Sequence, residues 1–497
     1  MVELVRHSYR YYPYELELAR REVETLLPEA ILSDTGRGIR LQGGVDMKAV
    51  ERLVYFAAAK DGEESAPTMQ AQLERVNGNG VNRQSTRYSA HGLHEYKGKF
   101  NPQIARAILN ILNVPLGARV IDPFCGSGTS LLECAHLGMR AVGTDINPLA
   151  VFIANAKLDA VRVPADDLRR ELGATLKRHR SIKVSKAAPG DVRGDYLLSW
   201  FDADVFRAIE RLRLAIEGGS EACASPLLAL ASNLLRDYSL QDPHDLRIRR
   251  RKTPVPEKPF VEAFEEAVLQ FLAKLEDAQS VFRRPPAGSK ALLVDSRELD
   301  VKKLGIGPEQ FDCALTSPPY ATALPYIDTQ RLSLVWLGLI SPIDILPLEA
   351  RLVGSREVRG QSKRELLASL TANSAGLPPA QAKYCRMLQS ALSDDDGFRR
   401  QAMPLLLYRY FAGMAQVFRA LRPAMKDSAS FALIVGSNHT VLGGKRFDIN
   451  TPQHLAELAC ANGWEHVETV PLQTYQRYGY HMGNAVIDEG LVIVRAA

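Results

Sequence analysis

Apolar positions along this chain change period several times, and each change marks an element. Between Tyr14 and Leu27 the run Tyr-Glu-Leu-Glu-Leu-Ala-Arg-Arg-Glu-Val-Glu-Thr-Leu-Leu repeats at helical spacing. A strand-like piece follows around Ile39, and a second helical pattern covers Met47–Ala59. The polar, Gly/Asn/Ser-rich passage Asp61–Ser89 reads as a linker. From His91 the texture changes. Asn101–Leu112 has helical spacing with Pro102 in the first turn, where its missing N–H costs nothing. The apolar strand Arg119–Asp122 runs into a loop, the helix Ser130–Leu137 follows, and a second strand spans Ala141–Asp145. This β–loop–α–β succession is the unit of a doubly wound sheet.

A long helical stretch, Val161 to Pro286, separates that unit from strands at Ala291–Asp295 and Phe311–Thr316. A more polar insertion fills roughly Ser341 to Gly397. The helix Met403–Leu421 then leads to strands at Ser430–Val435 and Gly490–Val494. One α/β core interrupted twice accounts for the length better than independent beads. The expected divisions are an α+β N-terminal unit with its linker (1–85), a cofactor half (86–160), a helical insertion (161–288), a catalytic half (289–340), a second insertion (341–398) and the remainder of the core sheet (399–497).

Composition narrows the function class. Of the 497 residues 46% are hydrophobic and 24% charged, the balance of an ordinary globular protein rather than a disordered one. The net charge of +5 is too small to attract a polyanion wholesale, so such a partner would need a local basic patch. Cys125, Cys134, Cys223, Cys313, Cys385 and Cys460 are scattered without a Cys-x-x-Cys pair, which suggests neither a disulfide framework nor a structural zinc site. No apolar run of about 18 residues and no signal core appear, so a cytoplasmic protein with no membrane partner is expected.

Two motifs carry the chemistry. In Asp122-Pro-Phe-Cys-Gly-Ser-Gly-Thr129 the small residues let backbone amides approach a ligand. Leu131 replaces the third glycine of a dinucleotide fingerprint, and no Lys-Ser/Thr follows to make a phosphate-cradling loop. Asp145, closing the next strand, is placed to accept hydrogen bonds from ribose hydroxyls. The ligand expected is an adenosine compound without a triphosphate. Ile146 either packs on its adenine face or is an ordinary buried aliphatic. Asp295 either accepts from the adenine amino group or caps the turn Ser296-Arg-Glu-Leu.

The second motif is Ser317-Pro318-Pro319-Tyr320, placed after an apolar strand and hence at the ligand-holding end of the sheet. Two prolines fix the backbone and remove two donors. What remains is a rigid set of acceptors, the Ser317 hydroxyl and the Ser317 and Pro318 carbonyls, beside an aromatic ring. Such acceptors take both hydrogens of an exocyclic amino group out of the ring plane, pyramidalise the nitrogen and aim its lone pair at an electrophile. Tyr320 stacks on the substrate face.

Together these residues resemble the amino-group DNA methyltransferases, S-adenosyl-L-methionine enzymes that modify cytosine N4 or adenine N6. Asp122–Thr129 looks like their cofactor loop, Gly143-Thr-Asp145-Ile-Asn-Pro148 like their ribose-binding strand end, and Ser317–Tyr320 like their catalytic tetrapeptide. His94-Glu-Tyr-Lys-Gly-Lys-Phe-Asn-Pro-Gln103 is similar to the segment that closes over the methionine end. The likeness extends more loosely through Trp200-Phe-Asp, Tyr326–Gly338, Leu352–Ser355 and Phe431–Asn438, leaving the N-terminal unit outside it. It implies a Rossmann-like methyltransferase fold, a seven-stranded mixed sheet interrupted by two mainly helical insertions. It assigns Ser317, Pro318, Pro319 and Tyr320 to catalysis. To the cofactor it assigns Lys99, Phe100, Pro102, Asp122, Phe124, Cys125, Gly126, Ser127, Gly128, Thr129, Asp145, Ile146, Asn147, Asp295 and Ser296. No metal is required, and Cys125 and Cys313 are expected as small buried residues.

In this family Ser at the head of the tetrapeptide leans toward cytosine N4, so the resemblance implies a site-specific DNA methyltransferase of a restriction-modification or defence system, with a cognate endonuclease or defence protein as possible partner. A base in double-stranded DNA must be flipped out to reach such a pocket. Tyr326 either walls that pocket or belongs to the core. The run Arg247, Arg249, Arg250, Arg251 and Lys252 is either a phosphate-contacting surface or a solvated face. Three other readings compete. Tyr14–Leu27 with Met47–Phe56 loosely resembles the leading domains of tRNA guanine-N2 methyltransferases; a non-catalytic nucleic-acid-binding module would keep the fold; a nicotinamide-dependent dehydrogenase lacks the third glycine.

Overall fold

A computed structural model describes residues 1–74, 84–182, 190–245, 248–282, 285–302, 310–321, 327–356, 358, 361–473 and 488–497. Its centre is a seven-stranded sheet. Strands β6 (Arg119–Asp122), β7 (Arg140–Asp145), β8 (Lys290–Leu293), β9 (Phe311–Thr316), β10 (Met425–Gly436), β13 (Trp464–Gln473) and β14 (Asp488–Ala496) lie in the order β13-β14-β10-β9-β6-β7-β8. All its pairings are parallel except those of β14, which runs antiparallel to both β10 and β13. This is the Rossmann-like mixed sheet expected from the sequence.

Both faces of the sheet are covered, so its strands are apolar at nearly every position. The period of two sends Val120, Cys313, Leu315, Ala432 and Ile434 into one layer and Ile121, Ala314, Phe431, Leu433 and Val435 into the other. The first layer is shared with the helix Pro13–Leu26, the second with the helix Phe398–Leu421. The long insertion folds into the helices Ala165–Ser181, Val192–Leu198, Ala203–Glu217, Glu221–Tyr238 and Phe260–Val281 around a core of their own. The polar insertion forms the helices Ile345–Arg351, Gln361–Ala372 and Pro379–Ser390.

The N-terminal region differs most from the periodicity reading. It carries an antiparallel sheet, β2-β3-β1-β4-β5, of β1 (Val2–Arg6), β2 (Ile31–Thr35), β3 (Gly38–Gln42), β4 (Phe56–Asp61) and β5 (Glu64–Pro67). The second helix stops at Arg52, because the β-branched and aromatic run Val54-Tyr-Phe is fully buried and feeds β4. Part of the expected linker is a hairpin: Gly62, at φ +63°, turns β4 into β5. A second hairpin, β11 (Asn438–Leu442) with β12 (Lys445–Ile449), follows β10. The N-terminal sheet is fastened to the core through Glu22, which is fully buried and accepts from Asn110 Nδ2 at 2.7 Å and from Val54 N at 3.3 Å. Among the described residues no helix is long and apolar enough to cross a membrane.

Candidate active site

Strands β6 and β9 are parallel neighbours, so the two motifs leave the sheet at the same rim. A buried carboxylate ties them together. Asp122, 2% exposed, accepts from Thr316 Oγ1 at 2.5 Å, from Phe124 N at 3.0 Å and from the Ser130 hydroxyl. Burial raises its carboxyl to about 6 against these hydrogen bonds. Asp122 thus acts as a strut beneath the loop, joining the residue before Ser317 to the helix Thr129–His136.

The loop itself demands glycine. Gly126 and Gly128 take φ of +48° and +77°. A Cβ on Gly128 would stand 2.8 Å from Ala154 Cβ. Gly126 N donates to Asp145 Oδ2 at 3.0 Å and Asn147 N to Oδ1 at 2.8 Å. A carboxylate offers about four lone-pair sites, so each oxygen keeps capacity for a hydroxyl donor. Burial, offset by the backbone bonds of Asn147, Gly126 and Ile146, holds Asp145 at about 6. A cradle flanked by two glycines and followed by a half-satisfied carboxylate fits the adenosine and tail of S-adenosylmethionine.

The segment His94–Gln103 roofs this loop. The Tyr96 ring lies 3.3 Å from where a Gly126 Cβ would be. Asn147 Nδ2 donates to Gln330 Oε1 at 2.6 Å, and Lys99 Nζ donates to the His91 carbonyl at 3.2 Å. Burial lowers Lys99 to about 8. Phe100 is partly buried, and Asn101 caps the helix Pro102–Ile111. The roof is locked by a buried polar knot. Glu133 accepts from Arg106 Nε at 2.6 Å, His91 Nε2 at 2.6 Å and Tyr88 OH at 2.9 Å. Although burial opposes it, Arg106, His136 and the hydrogen bonds of His136 and His91 hold this carboxyl well below its usual range. His91, Glu133 and His136 have the spacing of metal ligands, but the Arg106 guanidinium already supplies the compensating cation.

In the tetrapeptide, Ser317 Oγ lies 3.1 Å from the Ile434 carbonyl on β10. A carbonyl only accepts, so the Ser317 proton is committed there and the hydroxyl oxygen is left as an acceptor. Tyr320 OH donates to Glu489 Oε1 on β14 at 2.7 Å, which fixes the ring. Gly354, at φ +78°, presses on the other side: a Cβ there would lie 2.8 Å from the Tyr320 carbonyl oxygen. Pro318 is buried and Pro319 partly so.

The remaining sequence candidates divide. Ser296 is buried, its hydroxyl bonded to the Pro123 carbonyl and to Thr144 Oγ1. Asp295 caps its turn and is engaged by Arg297 through Nε at 2.9 Å and Nη2 at 2.6 Å. Thr129 and Cys125 are buried in the loop, as is Cys313 in β9. Phe124 and Ile146 are partly buried. In the basic run, Arg249 pairs with Asp245, Arg250 lies over the Trp200 ring, Arg251 donates to the Asp237 and Ser239 carbonyls, and Lys252 is exposed. Gln241 bridges to Arg250 and donates to the Asp328 carbonyl, bringing this run beside the residues that lead into the helix Arg331–Trp336. Arg247 and Tyr326 lie outside the described residues. The sequence reading missed Glu489, Gly354, Tyr96 and Lys157. For Lys157 a signal existed: it is a lone lysine on the apolar stripe Ala150, Ile153, Ala154, Val161 of the helix Pro148–Arg162.

Comparison with known proteins places this architecture. Residues 93–186 match the family UPF0020, RMKL-like, methyltransferase domain. The type II methyltransferase M.MjaII of Methanocaldococcus jannaschii is 46% identical over 68 residues, 14% of this chain and 13% of that protein. M.MvaI of Kocuria varians, also a type II methyltransferase, is 26% identical over 279 residues, 51% and 59% of the two chains. The tRNA (guanine(10)-N2)-dimethyltransferase of Methanothermobacter thermautotrophicus is 29% identical over 170 residues, 32% and 48%. The alignment spans less than two thirds of each of these relatives. The core of this chain is related to that of methyltransferases.

Proposed function

We propose that this chain transfers the methyl group of S-adenosylmethionine to an exocyclic amino nitrogen of a nucleobase in a nucleic acid. The carrying observation is the shared rim: a glycine cradle with Asp145 on one strand end, and a Ser317 hydroxyl already committed as acceptor on its neighbour, joined by the Thr316–Asp122 hydrogen bond. Bound there, S-adenosylmethionine supplies a methyl carbon made electrophilic by its sulfonium. The glycine-flanked turn Gly126–Gly128 lets the backbone come close to its tail, and Asp145 accepts from its ribose. Ser317 and the Pro318 carbonyl accept the two amino hydrogens of the base, and Tyr320 stacks on its face. The chain's contribution would be positioning: nitrogen, carbon and sulfur held in line let the N–C bond form as the C–S bond breaks, leaving S-adenosylhomocysteine and one amino proton that passes to solvent.

The Ser form of the tetrapeptide favours cytosine N4 in duplex DNA, with Arg249 and Lys252 as phosphate contacts beside the catalytic loop, and two of the relatives are type II methyltransferases. The tRNA guanine-N2 relative favours RNA, as does the loose resemblance of Tyr14–Leu27 with Met47–Phe56 to the leading domains of such enzymes, and the comparisons taken together support the shared amino-nitrogen chemistry over a cytosine-only enzyme. Incubation with labelled cofactor and either duplex DNA or tRNA, followed by nucleoside mass spectrometry for N4-methylcytosine, N6-methyladenine and N2-methylguanine, separates these. No label in either polymer would remove the proposal.

Two variants test its halves. Cofactor binding favours ionised Asp145, whose carboxyl sits near 6, so affinity for S-adenosylhomocysteine should be level above about pH 7 and weaken toward about tenfold per unit below pH 6. Calorimetry across that range checks this, and Asp145→Asn should bind weakly with a flattened profile. Gly354→Ala forces a side chain into left-handed backbone against the Tyr320 carbonyl, and a displacement of this kind lowers the methylation rate by about 10- to 100-fold. Cofactor affinity in that variant should be unchanged.

A further inference from the structure

Lys157 is 0% exposed, and its Nζ lies 3.1 Å from Ser127 Oγ in the cofactor loop. The titratable groups around it are Lys99 and His94 from the roof, His91 from the Glu133 knot and Cys125 from the loop. Among the described residues no carboxylate pairs with it. Burial first, then the like charge of Lys99, pushes this ammonium well below the usual lysine range. A buried cation without a counterion destabilises a fold, and a methionine would fill the same space on this apolar stripe without that penalty.

We infer that Lys157 is held here for an anion that arrives with the ligand: acting through Ser127, it receives the carboxylate of the cofactor's methionine tail. An ammonium only donates, so Ser127 Oγ accepts from Lys157 and keeps its own proton for a second acceptor. The helix Thr129–His136, which begins just beyond Ser127 and Gly128, adds partial positive charge at the same place. Lys157 is therefore a positioning residue that selects a carboxylate-bearing cofactor. The inference rests on the S-adenosylmethionine reading above.

Calorimetry of wild type, Lys157→Met and Lys157→Gln with S-adenosylmethionine and with decarboxylated S-adenosylmethionine tests it. Both variants should bind S-adenosylmethionine roughly 10- to 100-fold more weakly, the scale of one charge-assisted hydrogen bond, and the decarboxylated compound within about twofold of wild type. Ligand-free Lys157→Met should melt at a higher temperature than wild type, because an uncompensated buried cation has been removed. Equal losses for both ligands, or no loss for either, would overturn the assignment. A wild type that binds neither ligand would instead remove the cofactor reading itself.

Discussion

Ser317→Ala should lower methyl transfer by about 10²- to 10³-fold or more while leaving affinity for S-adenosylhomocysteine within about twofold. The Ser317 proton is spent on the Ile434 carbonyl, so its oxygen meets the amino group as a preset acceptor with no reorientation needed. Alanine removes that acceptor without touching the glycine cradle or Asp145. Tyr320→Ala should be comparably damaging. Tyr320→Phe keeps the stacking ring and loses its anchor to Glu489, so a smaller loss of about tenfold is expected. Steady-state label transfer set beside calorimetric cofactor affinity reads all three, and undiminished turnover in Ser317→Ala would sink the amine-acceptor mechanism.

The largest effect on stability is expected at Glu133. Glu133→Gln leaves the Arg106 guanidinium, also 0% exposed, without its anion, and breaking a buried pair from one side costs about 3–5 kcal/mol. Urea unfolding should show this loss, and adding Arg106→Met should recover much of it by removing the stranded cation. A single-variant loss under about 1 kcal/mol would mean the knot is not the clamp described here. Two buried histidines, His91 in the knot and His94 in the roof, also set an acid limit. Burial lowers His91 to about 3 and His94 to about 4, below their unfolded value near 6.5. Their contribution to stability is present above 6.5 and drains away as pH falls toward 4.

How much was legible in the sequence follows from where the signal lay. The central sheet was readable because its parallel strands are buried on both faces and stand out as apolar runs; β6, β7, β9 and β10 all fall on such runs. The two motifs were readable because their chemistry is local: two glycines and an acid at strand ends, two prolines beside a ring. Long-range pairings left no such trace. Nothing near Tyr320 points to Glu489, 169 residues away, and the Ser317–Ile434 bond spans 117. The N-terminal sheet was largely missed for a different reason. Its strands are four to six residues long, and β2 and β5 have no fully buried residue, so alternation is too brief to separate them from a linker. At Asp295, the turn-capping alternative matches the structure, with Arg297 reinforcing it through a bidentate ion pair two residues on.

The tie from Tyr320 to β14 has a consequence for the order in which the molecule is made. On a ribosome β6, the glycine loop and β7 precede every other strand of the central sheet, whereas the Glu489 carboxylate that steadies the Tyr320 ring arrives with the last of them. On the proposed reading, the ring that receives the base gains its anchor only once β14 has paired with β10, so the acceptor side of the site waits on the strand inserted last.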